Sequence, residues 1–199
     1  DPKRAGASCC MGDIGTHAEN LAEYITGRKI VELCADFTTF VSGRLLEDDG
    51  NVLVHFDEGV KGILYASQIS VGEENGLRIR VYGETGGLEF RQEEPNTLLA
   101  KWPDRPSEIL RTGVDHGYLS DHAQAHTRLP SGHPEGFLEA FANIYRNFAN
   151  TINARLDGRE PSVVDLDVPN VDDGVRGMAF IDTVVKSANS DDKWTRFRA

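Results

Sequence analysis

The sequence predicts an α+β fold, with a largely antiparallel open sheet and helices packed on one face. Three observations predict this fold. Segments with alternating apolar residues follow one another between residues 29 and 112. The turns between these segments are too short for parallel crossovers, so neighbouring strands should pair antiparallel. An amphipathic helix precedes the strands and longer amphipathic segments follow them, as expected where helices cover one face of a sheet.

Length, charge and cysteine content limit the possible functions. A chain of 199 residues can bury one core, which predicts a single domain over residues 1–199. The net charge of -11, with acids spread along the chain, argues against nucleic-acid and membrane partners and leaves small molecules and proteins. The three cysteines lack the Cys-x-x-Cys spacing of a metal site, and the first residues do not resemble a signal peptide. Both features favour a cytoplasmic protein.

The first element is a short amphipathic helix that begins at Gly12 and ends at Gly27. Its apolar residues recur at steps of three and four and predict one buried stripe: Ile14, Ala18, Leu21 and Ile25. Asp13 and His17 are i,i+4 neighbours, and the His17 ring should lie at the edge of that stripe. Gly12 and Gly15 are interpreted as giving room for close packing at the helix start.

The Asp13–His17 spacing has two interpretations. A carboxylate beside an imidazole can fix its tautomer and raise its basicity, which suits a general acid or base. Alternatively, Asp13 is an ordinary N-cap or first-turn acid and His17 is a packed residue at the edge of the core. The spacing itself leaves both open.

Three strands should follow this helix. Lys29–Val41 alternates, with Val31, Leu33 and Ala35 on its apolar side, and a second strand runs from Val52 to Phe56. The third, Gly62–Val71, has apolar residues on both faces, which indicates a central strand or a partner subunit. The predicted subunit interface is the outer face of the sheet, carrying Leu64, Ala66 and Ile30.

The next segments predict shorter strands. Leu77–Tyr82 and Gly87–Arg91 flank a glycine-rich turn, and Thr97–Trp102 and Glu108–Thr112 follow as outer strands. The turn, Gly83–Gly87, lacks the Gly-x-Gly-x-x-Gly spacing of a dinucleotide-binding loop and leads into a strand. It is therefore interpreted as a hairpin turn.

A long irregular segment, Gly113–Gly132, carries His116, His122 and His126 and is predicted to be a loop near the site. With Asp115 and Asp121, these histidines could bind a metal ion in an isomerase or lyase. The segment lacks helical periodicity and a neighbouring catalytic glutamate, so a polar loop is the preferred interpretation and no metal ligand is assigned.

Two helices and a short tail complete the chain. Pro134 can begin a helix with a strong apolar stripe that ends at Gly158, and Asn170 can cap a last helix. Trp194–Phe197 should add an edge strand or pack as a tail.

Two blocks of the chain resemble the C-terminal domain of the Gfo/Idh/MocA oxidoreductases. The first comprises Asp1–Gly6, Met11–Ala18 and Leu21–Tyr24, and the second is Gly132–Tyr145. The likeness covers nearly the whole chain. It implies the fold of a glyceraldehyde-3-phosphate dehydrogenase-like C-terminal domain and a homo-oligomer formed through the sheet.

The resemblance also implies an activity. In that family an Asp-x-x-x-His pair works with a lysine from a Glu-Lys-Pro motif in a preceding Rossmann domain, which binds most of the NAD or NADP. Asp13 and His17 match the pair, whereas the Glu-Lys-Pro motif and the N-terminal domain are absent from this sequence. The implied reaction transfers hydride between the cofactor and a sugar, polyol or related cyclic polyhydroxy compound. This chain by itself is then expected to be inactive.

His133 lies in the second block and is the candidate for a substrate contact. It could equally cap or pack at the start of the long helix. Asp13, His17 and His133 could instead belong to a non-catalytic carbohydrate-binding or assembly module of the same fold.

Overall fold

The computed structural model describes residues 2–199, which form two compact units. The first unit joins the segment up to Glu73 with Asn170–Ala199, and the second is Glu74–Pro169. The single domain over residues 1–199 stays a prediction.

The helices and strands within the described residues have the following bounds. The helices are α1 (Pro2–Ala5), α2 (Thr16–Thr26), α3 (Asp121–Ala125), α4 (Phe137–Leu156) and α5 (Val171–Ala188), with a π-helical turn (Met11–Gly15) leading directly into α2. The strands are β1 (Ile30–Thr38), β2 (Asp49–Phe56), β3 (Lys61–Ser67), β4 (Arg78–Tyr82), β5 (Gly87–Arg91), β6 (Thr97–Lys101), β7 (Glu108–Arg111) and β8 (Thr195–Arg196).

The strands pair antiparallel, which confirms the predicted α+β class. They divide between two sheets, with the order β3-β2-β1-β8 in the first unit and β4-β5-β6-β7 in the second. The first sheet packs its inner face against α2 and α5, with Leu33, Val52 and Phe180 in the core. The edge strand expected within Trp194–Phe197 is β8, which pairs with β1.

The predicted faces of the first sheet are wrong in part. Ile30, Leu64 and Ala66 lie in the core, so they cannot form an outer subunit interface. The register of β1 against β2 shifts between Ile30 and Glu32, and this irregularity exposes Val31 instead of burying it. The face turned away from the helices carries a different set: Cys34, Leu53, Ile63 and Tyr65.

The second unit confirms the predicted hairpin. Tyr82 at the end of β4 pairs with Gly87 at the start of β5, and the Gly83 N–H donates to the Gly86 carbonyl at 2.8 Å. The long segment after β7 is not wholly irregular, because Asp121–Ala125 forms α3 with Ser120 as its N-cap. Apolar side chains of α4 are largely exposed: Phe137, Leu138, Tyr145, Phe148 and Leu156.

Helix ends follow the predicted chemistry. Gly27 ends α2 in the left-handed conformation with φ +64°, and Asn170 caps α5 by accepting from the N–H groups of Asp172 and Asp173. Within residues 2–199, no helix combines the length and apolar character needed to cross a membrane.

Candidate functional site

The π-helical turn places a methionine under the start of α2. The Met11 side chain is fully buried, and a Cβ at Gly15 would meet its Sδ at 2.3 Å. A Cβ at Gly50 on β2 would come within 2.9 Å of Met11 Cε. Glycine at position 15 thus leaves room for the Met11 side chain at the helix start, and glycine at position 50 lets that side chain approach β2. Gly12 has ordinary contacts, with Ser8 Cβ at 3.5 Å.

Glu47 anchors the chain at the start of this turn. Its Oε1 accepts from the Ser8 hydroxyl at 2.5 Å, from the Cys9 N–H at 2.8 Å and from the Met11 N–H at 3.2 Å. A buried carboxylate therefore satisfies backbone N–H groups that a helix start leaves unpaired.

The neighbouring Asp48 fixes the β1–β2 connection. Its oxygens accept from the N–H groups of Phe40 at 2.8 Å and Val41 at 3.0 Å, and from Arg44 Nη1 at 3.1 Å. Burial raises the pKa of Asp48, but these hydrogen bonds outweigh burial and hold the pKa below its usual range. Glu47 and Asp48 together fix the chain before the π-helical turn and the connection between β1 and β2.

The opposite side of α2 is clamped to α5 by an ion pair. Arg176 donates from Nε and Nη2 to the two carboxylate oxygens of Glu23, each at 2.5 Å. Lys29 Nζ and the Ile30 N–H also donate to Glu23, each at 2.8 Å. Burial raises the pKa of Glu23, but the hydrogen bonds outweigh it and hold the pKa below its usual range.

Glu19 interacts with the same arginine over a longer distance. It is 2% exposed, and its Oε1 lies 3.8 Å from Arg176 Nε. Burial and the nearby charge of Glu23 raise the pKa of Glu19 to about 7, although Arg176 opposes the shift. Arg176 thus hydrogen-bonds to Glu23 and to the Ile30 carbonyl, and at 3.8 Å it neutralises Glu19 incompletely.

Asp13 and His17 lie on the exposed side of the π-helical turn and α2. Both residues are exposed, so the prediction that the His17 ring borders the buried stripe is wrong. Of the predicted stripe, Ile14 and Ala18 pack against the core, whereas the buried positions of α2 are Glu19, Ala22 and Glu23. Ile25, predicted to be buried, is 45% exposed.

Asp13 is engaged by a residue other than His17. Its Oδ2 accepts from Gln68 Nε2 at 3.2 Å. Asp13 lies inside the π-helical turn rather than at an N-cap, so the capping interpretation is wrong, while its place among first-turn acids stands. One helical turn separates it from His17 on the exposed surface.

His133 belongs to the second unit. It is exposed, and its Nδ1 donates to the Pro130 carbonyl at 3.2 Å. The adjacent Glu135 is buried and accepts from the N–H groups of Arg128 and Leu129. The turn before α4 is therefore ordered by Glu135, and His133 projects from it.

The loop histidines are held by hydrogen bonds. His116 Nε2 lies 2.9 Å from the Ser131 hydroxyl, and His122 Nδ1 lies 3.4 Å from an Asp167 oxygen. His126 donates from Nδ1 to the His122 carbonyl at 2.7 Å and accepts at Nε2 from buried Asn147 at 2.9 Å. In the part of the chain that the structure describes, no three His, Cys, Asp or Glu side chains are grouped to hold a metal ion.

Sequence reasoning missed Glu47, Gln68 and Arg176. Arg176 reaches Glu23 across 153 positions, and Gln68 reaches Asp13 across 55, distances at which no spacing rule applies. One signal was available. Glu19 and Glu23 lie at i and i+4 beside Ala22, and two acids on a buried helix face require a cation on the facing element.

Known proteins resemble the chain in sequence and structure. Residues 1–89 match the family described as GFO/IDH/MocA C-terminal domain. The uncharacterized oxidoreductase YfiI of Bacillus subtilis (strain 168) is 36% identical over 200 residues, which span 100% of this chain and 50% of the relative.

Solved structures agree with this likeness. An oxidoreductase from Sinorhizobium meliloti is 43% identical with a TM-score of 0.86, covering 94% of this chain and 51% of its own. An inositol dehydrogenase homolog from Azotobacter vinelandii, complexed with NADH and myo-inositol, is 32% identical with a TM-score of 0.87, covering 98% and 51%. The chain thus spans about half the length of these relatives.

Proposed function

Because this chain is a C-terminal domain of the Gfo/Idh/MocA oxidoreductase family, we propose that it is the substrate-binding half of a sugar or polyol dehydrogenase. The reaction would transfer hydride between NAD or NADP and a sugar, polyol or related cyclic polyhydroxy compound. The observation that carries this proposal is the exposed Asp13–His17 pair on a helix whose other side is fixed by buried carboxylates. The myo-inositol bound to the Azotobacter vinelandii relative supports the substrate class.

The proposed chemistry gives His17 the proton. Oxidation of a secondary alcohol removes a hydride from carbon and a proton from the hydroxyl group, and a neutral imidazole nitrogen can accept that proton. In the reverse direction the imidazolium returns it. Asp13, one turn away, would orient the ring and stabilise its positive charge.

The glycine-rich segment that could be compared with a dinucleotide-binding loop has a different setting in residues 2–199. The glycine-rich segment Gly83–Gly87 closes a hairpin between two strands, whereas that cradle lies between a strand and a helix. We therefore place NAD or NADP mainly on a Rossmann domain in the other half of the protein, in keeping with the relatives' length. When bound, the nicotinamide supplies the hydride acceptor.

The proposal includes His133 as a contact for a substrate hydroxyl. Its Nδ1 is engaged by the Pro130 carbonyl, which leaves Nε2 as an acceptor on an exposed ring. A neutral imidazole acceptor suits a polyol, which offers several hydroxyl donors.

We also propose that the protein self-associates through the outer face of the first sheet. Cys34 pairs with Leu53 and Leu53 pairs with Ile63, which places an apolar row across β1, β2 and β3. Ile63 is 73% exposed and Leu53 is 45% exposed. An exposed apolar row of this kind is typical of a homo-oligomer interface.

The test uses the full-length protein with NAD+ and myo-inositol. His17→Ala and Asp13→Asn should each lower kcat, by about 100-fold or more for His17→Ala, since general acid–base catalysis contributes on that scale. Because both side chains are exposed, the midpoint of thermal unfolding should change little.

Asp191→Asn provides the matched control, since Asp191 is an exposed aspartate beyond the end of α5. It should keep the wild-type kcat. Full turnover by His17→Ala would overturn the proposed function.

A further inference from the structure

Gln68 directly follows β3 and touches Asp13. Its Nε2 donates to Asp13 Oδ2 at 3.2 Å, and its Oε1 accepts from the Cys9 thiol at 3.0 Å. A carboxylate accepts and a thiol donates, so turning the amide over would lose both hydrogen bonds. The exposed Gln68 side chain therefore has one orientation that satisfies both neighbours.

The neighbours of this amide are fixed through the main chain. The Gln68 N–H donates to the Asp48 carbonyl at 2.9 Å, and the Cys9 N–H donates to Glu47 at 2.8 Å. Glu47 and Asp48 are both buried. The hydrogen bonds that hold Gln68 and Cys9 thus lead back to Glu47 and Asp48, the two buried residues directly before β2.

We infer that Gln68 is a positioning residue that orients Asp13 toward His17 through the Cys9–Gln68–Asp13 hydrogen-bond network. This inference rests on the function proposed above. Gln68 engages Oδ2, and the second oxygen of the Asp13 carboxylate remains to orient the His17 ring. Holding the carboxylate before the substrate binds removes a rearrangement that would otherwise accompany proton transfer.

A double-mutant cycle in the full-length protein tests this role, with NAD+ and myo-inositol as the probes. Gln68→Leu should lower kcat by about tenfold or more and leave KM for NAD+ within about twofold. In the Asp13→Asn background, Gln68→Leu should have no further effect, because no carboxylate remains to be oriented. Independent losses that multiply in the double variant would overturn the inference.

Gln92→Leu is the matched control for the same change of side chain. Gln92 is an exposed glutamine of the second unit that donates to the Asn75 carbonyl. Its replacement should leave kcat unchanged.

A second measurement does not depend on turnover. Gln68→Leu removes the acceptor of the Cys9 thiol, so iodoacetamide should modify Cys9 several-fold faster, as measured by peptide mass spectrometry. Cys10 stays unreactive, because burial raises the pKa of its thiol to about 12. If the reactivity of Cys9 is unchanged in Gln68→Leu, the inferred Cys9–Gln68–Asp13 hydrogen-bond network is wrong.

The two proposals fail in different ways. If Asp13→Asn and His17→Ala keep full turnover, the proposed function is wrong. If both variants lose turnover while Gln68→Leu keeps it, the positioning role of Gln68 is wrong.

Discussion

At the scale of single residues, buried carboxylates fix the segments around the candidate site through hydrogen bonds. Glu23, Glu47 and Asp48 are buried, and each accepts at least three hydrogen bonds. Glu19 differs, because its arginine is already committed to Glu23. That difference makes Glu19 the residue through which pH should affect stability.

Glu19→Gln should raise the free energy of unfolding at pH 8, by an amount on the order of 2 kcal/mol. The folded-state pKa of Glu19 is raised to about 7, so the folded protein binds a proton more tightly than the unfolded chain. Stability from Glu19 is thus present below its unfolded pKa and is lost as pH rises toward 7. Glutamine stays neutral, so the variant should have a higher free energy of unfolding than wild type at pH 8 and differ little from it at pH 5.

Urea unfolding at the two pH values measures this difference. Glu84→Gln is the control, since Glu84 is exposed in the β4–β5 hairpin. Equal effects of Glu19→Gln at pH 5 and pH 8 would contradict the prediction.

At the scale of elements, α2 depends on its clamp to α5. Arg176→Met should lower the free energy of unfolding by about 3–5 kcal/mol, because Glu23 would remain buried with its bidentate partner removed. Combining it with Glu23→Gln should restore part of that loss, since the buried charge is then gone. Chemical unfolding of the single and double variants checks the prediction, and strictly additive losses would contradict it.

The π-helical turn should also be sensitive to one added methyl group. Gly15→Ala should destabilise the protein by about 1–3 kcal/mol, because the new Cβ would meet Met11 Sδ at 2.3 Å. Gly174→Ala in α5 is the control: its Cβ would have no heavy atom within 4 Å, and alanine favours a helix. It should stabilise by about 0.5–1 kcal/mol. Thermal unfolding of both variants distinguishes the destabilising contact with Met11 from the stabilising helix propensity of alanine.

Local patterns predicted the elements better than they predicted the faces. Alternation placed β1, β2 and β3, and the capping residues Gly27 and Asn170 placed the helix ends. The irregularity near Val31 shifts the pattern by one residue, which exchanges the two faces of a strand. Sequence periodicity carries no mark of such an irregularity.

At the candidate site, too, the sequence predicted only what lies within one segment. Asp13 and His17 are close in sequence, and their spacing was readable as a helical pair. Gln68 and Glu47 reach the site through folding of the sheet, so no pattern within one segment could reveal them.

At the scale of the whole molecule, the outer sheet face should control assembly. Ile63→Glu should lower the molar mass measured by light scattering after size exclusion, because it places a charge in the apolar row with Cys34 and Leu53. Val71→Glu adds the same charge at a fully exposed valine outside the strands and should leave the mass unchanged. An unchanged mass for Ile63→Glu would contradict assembly through this face.

The discontinuous first unit has a consequence for biosynthesis. Its core needs Phe180, Val184 and Phe197, yet Glu74–Pro169 must be translated before any of them. At typical translation rates that interval lasts roughly 5–20 s. During it, the nascent chain carries the sheet with an apolar inner face that α2 covers but α5 does not, a state that favours aggregation or chaperone binding. Premature termination before Phe180 should therefore leave an insoluble product rather than a shortened folded one.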